Sequence, residues 1–188
     1  MNVLAISGSL RAQSSNTEML RAAAMLAEPP VIVTLFDGLA GLPPFNPDLD
    51  GVGAELPPSV RAFRGRVAEA DAILISSPEY AHGVPGALKN ALDWLVNGSE
   101  IISKPAGLLN PSPRSIHAQA SLLETLRTMS VAVVEAAVLA LPVSGRGLSA
   151  TGIVADPQLA GTERTAFAAL AAAVPESRRR REAIASSD

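Results

Sequence analysis

Two short segments concentrate the residues able to do chemistry. The first, Ser7-Gly8-Ser9-Leu10-Arg11-Ala12-Gln13-Ser14-Ser15-Asn16-Thr17, gathers four serines, a threonine, an asparagine and an arginine. Hydroxyls and amides donate hydrogen bonds, and a guanidinium can hold two oxygens of one phosphate at once. Where a helix starts, its first N–H groups lack intrahelical partners and the positive end of its dipole points outward. Together these features favour a phosphate ester. The spacing is not G-x-G-x-x-G, and the Lys-Ser/Thr of a P-loop is missing, which weakens dinucleotide and nucleoside-triphosphate readings. Ordinary capping accounts for one or two such residues and would leave Arg11 in solvent.

The second segment is Ser76-Ser77-Pro78-Glu79-Tyr80-Ala81-His82-Gly83-Val84-Pro85-Gly86. Its prolines and glycines stiffen the chain while permitting unusual dihedrals and close backbone approach. Exposed peptide groups there suit a flat heteroaromatic ring, and Tyr80, the chain's single tyrosine, is placed to pack on one. His82 lacks an adjacent orienting partner for general-base work. It is also far along the chain from His117, the other histidine, so a metal site is not expected.

Both segments need elements to position them. Val3–Ile6, Val31–Leu35, Ala72–Ile75 and Ala106–Leu109 are short apolar runs of strand type, and Val131–Leu141 can hold a fifth. Helical spacing falls over Asn16–Leu26, Val60–Ala70, Gly86–Val96 and Ala118–Met129. A last, Ala-rich helix starts at Asp156-Pro157 and is expected to end before Pro175. Residues 175–188, with the run Arg178-Arg179-Arg180-Arg181, read as a disordered, solvated C-terminal tail after a single domain over 1–174. Strands alternating with helices predict an α/β fold: a five-stranded parallel sheet with helices on both faces, wound in one of the doubly wound orders. Ligands of such sheets sit beyond the carboxyl ends of the strands, where both segments lie. The Gly-, Pro-, Asn- and Asp-rich stretch Asp37–Pro58 is long for a connection, and stretches of that length are often functional.

Composition narrows the classes further. The chain has 188 residues, 48% of them hydrophobic, enough for one full core. Aromatics are only 3% and the net charge is −3, which argues against nucleic-acid or anionic-membrane partners. With no cysteine, thiolate chemistry and disulfides are excluded. No apolar run approaches the roughly 20 residues of a membrane span, and the N-terminus lacks a basic leader, so a cytoplasmic protein is expected.

Two stretches then carry a resemblance: Gly8-Ser9-Leu10-Arg11 with Ser15-Asn16, and Pro78-Glu79-Tyr80 running into Val84-Pro85-Gly86-Ala87-Leu88-Lys89-Asn90-Ala91-Leu92-Asp93-Trp94-Leu95. The chain resembles the NADPH-dependent FMN reductase family, the flavodoxin-like group that includes quinone, azo-dye and chromate reductases, and this implies a doubly wound, five-stranded parallel sheet of order 2-1-3-4-5 with helices on both faces. The resemblance implies FMN as cofactor, with Ser9, Arg11, Ser15, Asn16 and Thr17 on its phosphate. It places Pro78, Glu79, Tyr80, Ala81, His82 and Gly83 along the isoalloxazine ring. It also implies NADPH or NADH as co-substrate, a small-molecule electron acceptor reduced in a second step, and a homodimer or homotetramer. No catalytic side chain is implied. Family members usually have Asn where this chain has Ala81. They often have a glycine-rich stretch where it has Asn110-Pro111-Ser112-Pro113-Arg114-Ser115, which makes Ser112 a further cofactor contact and Arg114 a candidate for nicotinamide-cofactor phosphates. The competing expectations are a flavodoxin-type electron carrier and a non-enzymatic FMN-binding redox module; a P-loop phosphotransferase comes last.

Overall fold

In a computed structural model, which describes residues 1–51 and 53–186, the chain alternates strand and helix from end to end. The elements are β1 (Asn2–Ser7), α1 (Ser15–Leu26), β2 (Ile32–Phe36), α2 (Pro58–Glu69), β3 (Ala72–Ser76), α3 (Gly86–Asp93), β4 (Pro105–Asn110), α4 (Ile116–Thr128), β5 (Ala132–Ala140), α5 (Ala150–Ala155) and α6 (Pro157–Ala185). All pairings among these strands are parallel, as the sequence pattern predicts, and the order is β2-β1-β3-β4-β5, as the family resemblance implies.

Side-chain alternation divides the core into two layers. Val3 and Ala5 of β1 face Met19, Leu20 and Ala23 of α1, and Phe167 and Leu170 of α6 belong to the same layer. Leu4 and Ile6 face the other way, in a layer with Phe63 of α2, Leu88 of α3 and Leu122 of α4. β3 and β4 are buried along their whole length, as strands covered on both faces must be.

The stretch 37–58 is laid against α2 and α3. Pro43 O accepts from Asn90 Nδ2 and Trp94 Nε1 at 2.9 and 2.8 Å, and Asp50 pairs with Arg64 of α2 at 2.7 Å. Trp94 is fully buried and meets Phe45 edge-on.

The tail expected over 175–188 needs correction as far as residue 186; residues 187 and 188 lie outside the described residues. α6 does not stop before Pro175; it continues to Ala185, with Arg178–Arg181 inside it. Pro175 removes one N–H and crowds the carbonyl of Ala171, but both residues are exposed, so the freed acceptor is not sealed in the core. Beyond Pro175 tertiary contacts hold the helix. Ser177 Oγ donates to Ser103 O at 2.6 Å, and Arg178 pairs with Asp71 at 2.7 Å.

Candidate active site

β2 lies on one side of β1 and β3 on the other, so the segments leaving β1 and β3 run to opposite faces of the sheet and leave a crevice between them. Short bonds fix the crevice. Gly8 N donates to Ser76 O at 2.8 Å, and a Cβ on Gly8 would stand 2.9 Å from Ser77 Oγ, so the first loop crosses the end of β3 with no room for a side chain. Ser7 Oγ and Thr17 Oγ1 share a hydrogen bond of 2.8 Å, and Ser76 Oγ donates to Asn16 Oδ1 at 2.9 Å. The first turn of α1 is thereby tied to the ends of two adjacent strands.

A cleft of about 660 Å³ opens there, inside the roughly 300–1,000 Å³ range of small-molecule sites. Ser9, Arg11, Ser15 and Asn16 line one side, Pro78 and Tyr80 another. A third wall comes from Ser144, Gly145, Gly147, Leu148 and Ser149, just after β5, which sequence reasoning missed. Its Ser-Gly-Arg-Gly composition after a strand carried the same signal as the other two loops. Glu18 of α1 anchors this wall: its Oε2 accepts from Ala150 N, the first residue of α5, at 2.7 Å, while Oε1 pairs with Arg21 at 2.5 Å. At the far end of the wall Arg146 pairs with Asp156 at 3.5 Å, whose carboxyl is held below its usual range by the N–H groups of Leu159 and Gln158.

No side chain caps the N-terminus of α1, so its first N–H groups are open toward the cleft. Arg11 has no ion-pair partner among the described residues. The acidic Glu18 in the same cleft is already committed to Arg21 and Ala150. The open N–H groups and the free guanidinium of Arg11 together fit a phosphate. Arg11 and Tyr80 also border a second cleft of about 390 Å³, with Leu10, Pro85 and Ala87 in its walls. A polar hollow and a more apolar one therefore meet at two residues, and this fits a ligand with a phosphate at one end and a flat ring at the other.

The sequence-derived candidates separate into two groups. Ser9, Arg11, Ser15, Asn16, Pro78 and Tyr80 line the main cleft. Thr17, Glu79, Ala81, His82, Gly83 and Ser112 do not line it, and the side chains of Asn16 and Thr17 are turned to strand ends. Those two residues can offer a ligand backbone N–H groups in place of the expected side-chain donors. Glu79 Oε2 accepts from Ala118 N at 2.9 Å, near the start of α4. Ser112 Oγ accepts from Arg114 N at 3.4 Å. His82 and His117, distant in sequence, stack with ring centroids 4.2 Å apart. Their distance along the chain is closed because α4 brings its first turn up beside the loop after β3. No cluster of three or more metal-ligating side chains occurs among the described residues.

Comparison with known proteins agrees with this geometry. An NAD(P)H-dependent FMN reductase of Pseudomonas aeruginosa is 38% identical over 136 residues, 70% of this chain and 72% of that protein. A probable NADPH:quinone oxidoreductase of Oryza sativa is 42% identical over 113 residues, spanning 58% of this chain and 57% of its own length. Among solved structures, the flavoenzyme NAD(P)H:acceptor oxidoreductase FerB of Paracoccus denitrificans superposes with a TM-score of 0.77 at 29% identity, covering 95% of this chain and 97% of that one. The family model for NADPH-dependent FMN reductase matches residues 1–145, which hold the whole sheet and the loops after β1 and β3. The chain belongs to the NADPH-dependent FMN reductase family.

Proposed function

We propose that this chain holds FMN at the ends of β1 and β3 and acts as an NAD(P)H-dependent oxidoreductase on a small acceptor: a quinone, an azo compound, free flavin or a metal oxyanion. One observation carries the reading. The uncapped start of α1 and the unpaired Arg11 meet Pro78 and Tyr80 across a single cleft. When bound, the flavin supplies the capacity to accept a hydride and to return electrons; the protein supplies binding, orientation and electrostatics. In this reading Ser9, Arg11 and the N–H groups of Ser15, Asn16 and Thr17 hold the phosphate. The segment Pro78–Gly83 lies along the ring, with Ser112 at its margin. No side chain is assigned as nucleophile or general base.

The name of the rice relative makes a quinone the first acceptor to test. The same reading takes the enzyme to be cytoplasmic and a homodimer or homotetramer, without nucleic-acid or membrane partners. Exposed Leu10 and Tyr80 beside the clefts, and Ile116 at the start of α4, offer apolar surface to a second copy. No helix among the described residues is long and apolar enough to cross a membrane.

The test is the visible spectrum of the purified protein. Bands of oxidised flavin, bleached anaerobically by NADPH or NADH and restored by a quinone, are expected. A colourless protein that takes up no added FMN would overturn the proposal. Flavin that is bound yet reduced by neither nicotinamide cofactor would turn it into an electron carrier or redox module.

A further inference from the structure

The turn Tyr80–Gly83 is closed by two backbone bonds, Tyr80 N to Gly83 O at 3.1 Å and Gly83 N to Tyr80 O at 2.9 Å. Both central residues have positive φ, +48° at Ala81 and +60° at His82. Two-residue turns with both φ values positive favour Asn-Gly, because a Cβ is crowded in the left-handed region. Ala81-His82 is a poor sequence for this conformation. Strain of this kind persists only where surrounding contacts over-determine it.

Two such contacts reach the turn region, and both come from the start of α4. His117 stacks on His82 at 4.2 Å with the ring planes 22° apart. Ala118 N donates to Glu79 Oε2 at 2.9 Å. α4 is a firm support, since Ala118, Leu122 and Leu126 are buried and the latter two pack in the second core layer. Tyr80, the first residue of the turn, is half-exposed and borders both clefts.

We infer that His117 is a positioning residue: stacked on His82, it braces the strained Tyr80–Gly83 turn and so sets where Tyr80 meets the flavin ring. The inference rests on the proposed FMN site for its functional consequence. The brace itself exists without ligand.

The test uses the full chain and three variants: His117→Ala; His117→Phe, which keeps a stacking ring; and His117→Ala combined with Ala81→Asn and His82→Gly, which relaxes the turn. Flavin fluorescence quenching measures affinity for FMN and for riboflavin, and amide hydrogen exchange follows Tyr80 and Gly83 in the ligand-free protein. His117→Ala is expected to weaken both flavins by the same factor, about tenfold for a small displacement of a contact group. The factor is shared because the phosphate end is untouched. Exchange at the two amides should quicken while the melting temperature holds. His117→Phe should restore affinity and slow exchange, and the relaxed-turn variant, which alters residues of the proposed ring segment, should slow exchange. Unchanged flavin affinity and exchange in His117→Ala would overturn the brace, as would an affinity loss that His117→Phe does not repair or fast exchange that the relaxed-turn variant does not slow. A wild type that binds no flavin but shows the exchange pattern would overturn the proposed cofactor and leave the brace standing.

Discussion

The hydroxyl of Ser76, the last residue of β3, donates to Asn16 Oδ1 at 2.9 Å in a position closed to solvent. Ser76 and Asn16 are fully and nearly fully buried, so neither can turn to water instead. Ser76→Ala leaves the Asn16 carbonyl oxygen without its donor, at a cost of about 1–3 kcal/mol. Urea denaturation should show a lower midpoint at an unchanged slope. An unchanged midpoint would mean that α1 is not held to β3 by this bond.

Arg11 is exposed and has no ionic partner among the described residues, so stability should hardly notice its loss. Arg11→Ala should change unfolding free energy by no more than about 0.5 kcal/mol. Its charge-assisted bonds to a phosphate are worth about 1.5–3 kcal/mol, so FMN affinity should fall roughly 10- to 100-fold. Riboflavin, which lacks the phosphate, should bind both proteins alike. Equal losses for the two flavins would remove Arg11 from the phosphate site.

Glu163 lies on the apolar stripe of α6 among Leu159, Phe167 and Leu170, fully buried, and neither carboxylate oxygen has a hydrogen-bond partner. Burial pushes its pKa up to about 8. The folded chain therefore keeps this proton over a range in which the unfolded chain, near the usual 4.5, has lost it. Stability from this group is full below the unfolded value and drains away as pH rises toward 8, by an amount on the order of a few kcal/mol. Glu163→Gln should flatten that slope, and Glu163→Leu should raise the melting temperature most at pH 8. Equal shifts at pH 5 and pH 8 would show that the carboxyl is not titrating in this window.

Truncation after Val174 removes the Ser177–Ser103 bond and the Arg178–Asp71 pair. Burial alone would raise the Asp71 carboxyl, but the bonds from Arg178 and Asn2 N outweigh it and hold the pKa low. That stabilisation is present above the unfolded pKa and is lost as pH falls through the folded one. The shortened chain should melt roughly 3–10 °C lower at neutral pH, with the gap narrowing in acid. No difference at neutral pH would return residues 175–186 to the role of a dispensable tail.

Much of the site could be read before folding was considered. Arg11, Ser9 and Ser15 follow a strand and precede a helix, and Pro78 and Tyr80 follow another. The wall Ser144–Ser149 escaped because its glycines resemble an ordinary connection until α5 and Glu18 place it beside α1. Thr17 and Asn16 were read as ligand donors, whereas their side chains tie α1 to the strands. A hydroxyl's type tells what it can bond, not which partner the fold brings within reach.

By itself the sequence determined the α/β alternation, the parallel sheet and the two strand-end loops, because apolar periodicity and turn chemistry are local properties written within a few residues. Tertiary structure decided the rest: which loops share a cleft, the stack of His82 on His117, and the docking of α6 past Pro175. Those contacts join residues 35 to 132 positions apart. They form only once sheet order and two-sided packing have set which chain ends meet, and no local pattern records that.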